Sequence, residues 1–261
     1  MNTAETESHE TNIDTLEAVL TRGTEAPATE IDIAVRRLHW LSPLDDLDRA
    51  AIRRHTGVVM THRVGADLGD DGDSTSRFLL SGWACRVRDT PWGDRQILDF
   101  LLPGDPVGFS IHPSLGGLYR VVALTRGSSV DAISLRDRVR GDPDSYPSFK
   151  ASCAREERLR ASRMLDHTTR LGSVSATRAM VHLLLEFRRR LAEVGLLDGD
   201  RFPMPLSQES IREALGITVT QVYRILTQLR RDGLIRLGPG WAEIPDLSAL
   251  AGFAGLDPRK A

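Results

Sequence analysis

Between residues 33 and 52, apolar side chains fall at Val35, Leu38, Leu41, Leu44, Leu47 and Ile52, mostly three apart, with Ser42-Pro43 breaking the run. Proline lacks the donor that a helix interior needs, so this pattern predicts two short helices. From residue 58 to 135 the pattern changes to short runs bounded by Gly, Pro and Asp: 58–64, 77–80, 83–88, 95–101, 120–125 and 129–133. Such spacing predicts strands of a small antiparallel barrel or sandwich. After Tyr146-Pro147 no Gly or Pro interrupts the chain until Gly172, which predicts a helix of about 24 residues, roughly 36 Å long. Its stripe Phe149, Cys153, Glu156, Arg160, Met164, His167 and Leu171 is spaced by fours and threes, close to a heptad seam, and predicts a dimer interface. The same stripe also fits a single amphipathic helix packed on its own barrel. A further helix over 176–194 lines up Met180, Leu183, Leu184, Phe187, Leu191 and Val194 on one face.

Charge changes this picture only when divided along the chain. Residues 1 to 35 carry eight acidic side chains against Arg22, a net of -7; the whole chain stands at -2, so the remainder carries +5. The acidic stretch lacks aromatics and is predicted to be a disordered tail over residues 1–30. Only Lys150 and Lys260 are lysines among 34 basic residues, a pattern we attribute mainly to GC-rich coding. Two cysteines, Cys85 and Cys153, exclude a disulfide scaffold and an iron-sulfur cluster held by four thiolates. With no basic-then-apolar leader at the N-terminus and no long apolar run, a cytoplasmic location and no membrane association are expected.

The most informative stretch is LSQESIREALGITVTQVYRILTQLRRDGLI, residues 206 to 235. Ser207 suits the N-cap of a first helix, Gly216 a tight turn at positive φ, and Thr218 the N-cap of a second helix that Gly233 stops. Two helices packed across such a turn need apolar residues at five flanking positions, and Ile211, Leu215, Ile217, Val222 and Ile225 fill them. Arg212 departs from the pattern, standing where close helix approach favours a small residue. The second helix would then present Val219, Thr220, Gln221, Tyr223 and Arg224 to base edges in a major groove, since Arg pairs bidentately with guanine and Gln with adenine. For Tyr223, packing or phosphate contact is the alternative. Ser207, Gln208, Thr218, Gln228 and Arg236 are placed to contact phosphates of double-stranded DNA. Residues 234–237 and 241–244, joined by Gly238-Pro239-Gly240, read as a two-stranded wing. Residues 219 to 236 carry +3, so the acidic chain holds a basic reading head.

With these motifs, from LLSGWACRVR and RQILDFLLPGDPVG to the helix pair, the chain resembles the Crp/Fnr family of bacterial transcription regulators from about Leu38 onward. The resemblance implies an α+β fold: a jelly-roll-like antiparallel sensor barrel over 31–145, a dimerisation helix over 146–171 and a winged helix-turn-helix over 172–261. It also implies a homodimer on a palindromic site, with RNA polymerase as a further partner. Thr220 stands where the family commonly has Glu, so the familiar half-site is not expected unchanged. On the effector side, Gly108-Phe109 and Leu118-Tyr119 stand where cyclic-nucleotide binders have their ribose-binding Gly-Glu and phosphate-binding Arg-hydroxyl pairs. Without that arginine, cyclic AMP binding is not expected, and Arg120 is left as a weak candidate for an unknown effector. Gly108 and Ser110 replace the Cys and His of the haem-binding relative, and His112 alone reads as a turn residue. No cofactor and no metal is expected. His55 and His62 are seven apart with no His-x-His, which argues against a cupin-like metalloenzyme. A metabolite sensor and an effectorless dimerisation scaffold both remain open.

Overall fold

The computed structural model describes residues 28–69, 75–91, 93–108, 119–142, 144–172 and 174–255. The acidic segment, apart from its last three residues, lies outside these, as do Phe109, Ser110, His112 and Leu118. Helix α1 (Ala28–Leu41) buries Ile31, Ala34, Val35, Leu38 and Leu41 and ends before Ser42-Pro43. Helix α2 (Asp46–His55) is capped by the Asp45 carboxylate, which accepts from the Asp48 amide, with acids in its first turn and Arg53, Arg54 and His55 in its last.

Strands β1 (Val59–His62), β2 (Arg77–Ser81), β3 (Ala84–Asp89), β4 (Arg95–Leu101), β5 (Pro106–Val107), β6 (Arg120–Ala123) and β7 (Gly127–Asp131) follow. They form two antiparallel sheets, ordered β1-β7-β2-β5 and β4-β3-β6, and do not close into the expected barrel. Strand alternation explains the layering. From β2, Leu79 points between the sheets to meet Ala84, Leu101, Val107 and Val121, while Phe78 and Leu80 point the other way onto α1. The outer face of the second sheet, Cys85, Val87, Ile97 and Phe100, packs on the C-terminal half of the molecule. The chain crosses between sheets at Gly82 (φ +78), where the backbone is so close that a Cβ on Gly127 would lie 2.1 Å from the Ser81 carbonyl oxygen.

The last of these strands ends at Asp131, two residues short of the sequence expectation, because the Asp131 carboxylate accepts from the Ile133 amide and starts α3 (Ile133–Gly141). Helix α4 (Pro147–Gly172) runs unbroken, and α5 (Ala176–Glu193) begins at the Ser175 cap. Strand β8 (Arg201–Pro203), helices α6 (Gln208–Leu215) and α7 (Val219–Arg231), strands β9 (Arg236–Gly238) and β10 (Trp241–Glu243), and α8 (Leu247–Ala254) complete the described chain. The wing is three-stranded rather than two-stranded, because β8 pairs with the outer edge of β10 in the order β8-β10-β9. Among the described residues, no helix is long and apolar enough to cross a membrane.

Candidate nucleic-acid interface

The Ser207 hydroxyl accepts from the Ser210 amide and starts α6; Gly216, at φ +64, ends it, its amide donating to the Arg212 carbonyl. Arg212 accommodates its crowded position by turning its guanidinium outward to Glu209, 2.6 Å away. Thr218 opens α7 with a reciprocal capping box, its side chain accepting from the Gln221 amide while the Gln221 carboxamide accepts from the Thr218 amide at 2.9 Å. Ile211, Leu215, Val222 and Ile225 are buried between the helices, and Ile217 is half-buried against them. Removing the box with Thr218→Ala is expected to lower stability by about 1 kcal/mol, read as a shift of the urea midpoint.

The outward face of α7 exposes Val219, Thr220, Tyr223 and Arg224. Two of the expected contact residues are engaged elsewhere. Gln221 is folded back into the capping box, and the Gln228 carboxamide donates to both oxygens of Asp232, at 2.9 and 2.8 Å. Arg236 leans on Glu243 across the wing yet keeps two thirds of its side chain in solvent. Ser207 and Gln208 are exposed at the start of α6, and Thr218 at the start of α7. Arg224 is exposed beside a groove it shares with Ala176, Thr177 and Gln221, and no carboxylate among the described residues holds it.

Helix α4 does not present the expected seam. Phe149 and Cys153 are buried against α1, Glu156 is buried on Arg37 and Arg163, and His167 is buried near α5, so four of the seven predicted interface residues face their own protomer. Arg160 is half-buried. The face left outward carries Arg158, Ala161, Leu165 and Thr168, with Met164 and Leu171 beside it, and Leu165 is 70% exposed.

A profile of the Crp-like helix-turn-helix domain matches residues 179–253. The nitrogen fixation regulation protein FixK of Bradyrhizobium diazoefficiens is 28% identical over 216 residues, covering 80% of this chain and 87% of that protein. The transcriptional activatory protein AadR of Rhodopseudomonas palustris is 28% identical over 227 residues, covering 83% and 89%. The structure of FixK2 from Bradyrhizobium japonicum superposes with a TM-score of 0.62 at 24% identity, over 75% of this chain and 96% of that one, and shares the fold. Over most of its length the chain is similar to Crp/Fnr-type transcription regulators, and residues 179–253 carry a Crp-like helix-turn-helix domain. With that domain it is a DNA-binding transcription regulator.

Arg120, the weak effector candidate, is committed to Asp89 at 2.8 Å and lies 4.0 Å from Asp67. Between β2, β3 and α4, Phe78, Arg86, Cys153, Glu156 and Arg160 leave a cavity of about 20 Å³, room for roughly one water. Both thiols are buried; burial pushes Cys85 up to about 12 and raises Cys153 further, so neither is a thiolate near neutral pH.

The space around the sheet, α4 and α5 is filled instead by paired charges. Arg37 of α1 meets Asp105 at 3.3 Å, Glu156 at 2.6 Å and Glu193; Arg163 meets Glu156 at 2.8 Å and Asp99 at 3.5 Å; Arg86 meets Asp99 at 2.8 Å; Arg190 meets Asp105. Burial alone would raise the carboxyls of Asp99 and Asp105, but the surrounding guanidiniums outweigh it, holding Asp99 below the ordinary range and Asp105 at about 2. Sequence reading missed this cluster, since Glu156 was assigned to the seam and Arg163 and Arg190 resemble solvent-facing charges on amphipathic helices.

Proposed function

We propose that this DNA-binding regulator acts as a cytoplasmic homodimer, pairing through the outward face of α4 and placing two α7 helices in successive major grooves of a palindromic site. The proposed units are a sensor over 31–145, the α4 helix and a DNA-binding domain over 172–261. Half-sites would lie one turn apart, about 34 Å. The observation that carries the reading is the unengaged Arg224 at the centre of an α7 face whose opposite side is locked into the domain core. Val219, Thr220 and Tyr223 flank it as base contacts. Ser207, Gln208, Thr218 and Arg236 serve as phosphate contacts, and RNA polymerase is the partner that would read the bound dimer.

Selection of duplexes from a random library by the purified protein should enrich an inverted repeat. On the enriched duplex, Arg224→Ala is expected to cost about 1–3 kcal/mol and to relax preference at one base pair per half-site. Enrichment of a direct repeat, or unchanged binding by Arg224→Ala, would remove this reading. Among the described residues, the small size of the crevice between β2, β3 and α4 favours a sensor domain that acts as a dimerisation scaffold without cyclic AMP. A native mass spectrum of protein purified from its own host should then give a dimer with no added mass.

A further inference from the structure

The N-terminal end of β4 reaches out of its sheet and holds the first helix of the helix-turn-helix. Arg95 donates from Nε and Nη2 to the same carboxylate oxygen of Glu213, at 3.0 and 2.7 Å. The neighbouring Gln96 carboxamide donates to the Glu213 carbonyl at 2.6 Å and lies 3.4 Å from that of Ala214. These carbonyls belong to the last turn of α6, where the helix supplies no amide partners of its own. The sensor sheet therefore caps the helix at the turn that aims α7. Glu213 is 8% exposed, so its charge has left water and needs this partner. Beneath the polar contact, Cys85, Val87 and Ile97 of the sheet pack in one core with Ile211, Ala214 and Leu215. From the other side the last turn of α4 closes on the same turn: a Cβ built on Gly216 would stand 3.2 Å from the Leu171 side chain.

We propose that Arg95 and Gln96 are positioning residues for DNA recognition, through which strand β4 of the sensor sheet sets the aim of the recognition helix. They touch no base or phosphate themselves. Guanidinium and carboxamide contacts are directional, so they fix the rotation of α6 on the sheet, which the apolar contact beneath them leaves loosely defined. Any displacement of β3 and β4 is then transmitted to α7 without passing through the α4–α5 connection. The inference rests on α7 being the DNA-reading helix.

The test uses the full-length protein with the duplex it enriches from a random library and a scrambled duplex of the same length. Arg95→Ala and Glu213→Gln are each expected to lose about tenfold affinity for the enriched duplex, the low end of what one lost base contact costs. Affinity for the scrambled duplex, and the salt dependence of both, should stay as in the parent protein, because no phosphate contact is removed. Exchanging the charges, Arg95→Glu with Glu213→Arg, should restore binding to the enriched duplex. Parent-like affinity in both single variants would overturn the proposal, and so would tighter binding, which would make the contact a restraint on DNA binding. A parallel fall on both duplexes with a lowered melting temperature would reduce the contact to a structural one and also overturn it. Arg224→Ala is measured alongside: if it binds normally, the recognition-helix reading fails, whereas loss in Arg224→Ala with parent-like Arg95→Ala sinks only the positioning role.

Discussion

Replacing Arg37 with leucine is expected to destabilise the protein by about 3–5 kcal/mol, because it strands carboxylates that have already left water. Arg37 is 2% exposed and is the shared partner of Asp105, Glu156 and Glu193, which come from the turn before β5, from α4 and from α5. A conservative loss of apolar packing would cost less than this, so the urea midpoint separates the two accounts; a change within about 1 kcal/mol would show that the cluster does not hold these elements together. The pH dependence follows from the same groups. Asp105 sits at about 2 in the folded protein against an ordinary 3.8, so its contribution is fully present above 3.8 and is lost as the pH falls from there toward 2. Glu193 runs the other way. Burial, opposed by Arg37, holds its carboxyl above the ordinary range, so it favours folding at low pH and loses that contribution as the pH rises through its folded value. Acid unfolding monitored between pH 5 and 2 should therefore be steeper in the parent protein than in an Asp105→Asn variant.

Leu165→Glu is expected to convert the proposed dimer to monomers and to lower affinity for the palindromic duplex by about 100-fold or more, the scale set by losing the second, tethered half-site contact. Leu165 is 70% exposed on the outward face of α4, and near a two-fold axis the substitution brings two carboxylates together. Sedimentation should show the change in mass, while melting should change little, since the side chain contributes almost nothing to the protomer core. A variant that remains dimeric would move the interface off this face of α4. Substituting Phe149 or Cys153, in the stripe that resembles a seam, should instead destabilise the protomer, because both are buried against α1.

The features legible in the amino-acid sequence share one property: their physics is local. The α6–α7 pair is specified by Ser207, Gly216 and Thr218, whose capping and left-handed turn involve residues no more than four apart. The same holds for the break at Ser42-Pro43 and for most strands between residues 59 and 131, where alternation and turn residues sit next to each other. Helix α8 likewise carries a local signal, an Asp246 cap accepting from the Ala249 amide and Gly255 at φ +71. Strands β5 and β8 had no such signal: two or three residues show no period, and each exists because an edge of a neighbouring sheet lies open to it.

By itself, then, the sequence determined that this chain carries a winged helix-turn-helix behind a strand-rich domain and a long helix, with a basic reading head on an acidic chain. Only the tertiary structure decided which side of α4 is free, that Gln221 and Gln228 are engaged within their own helix, that the sheets stay open, and that β4 grips α6. The physical reason is that a charged side chain by itself prefers water, and only partners from elsewhere in the chain make its burial tolerable. Glu156, Arg163 and Arg190 would be at home in water, and they are buried here only because Arg37, Asp99 and Asp105 arrive from distant parts of the chain to neutralise them.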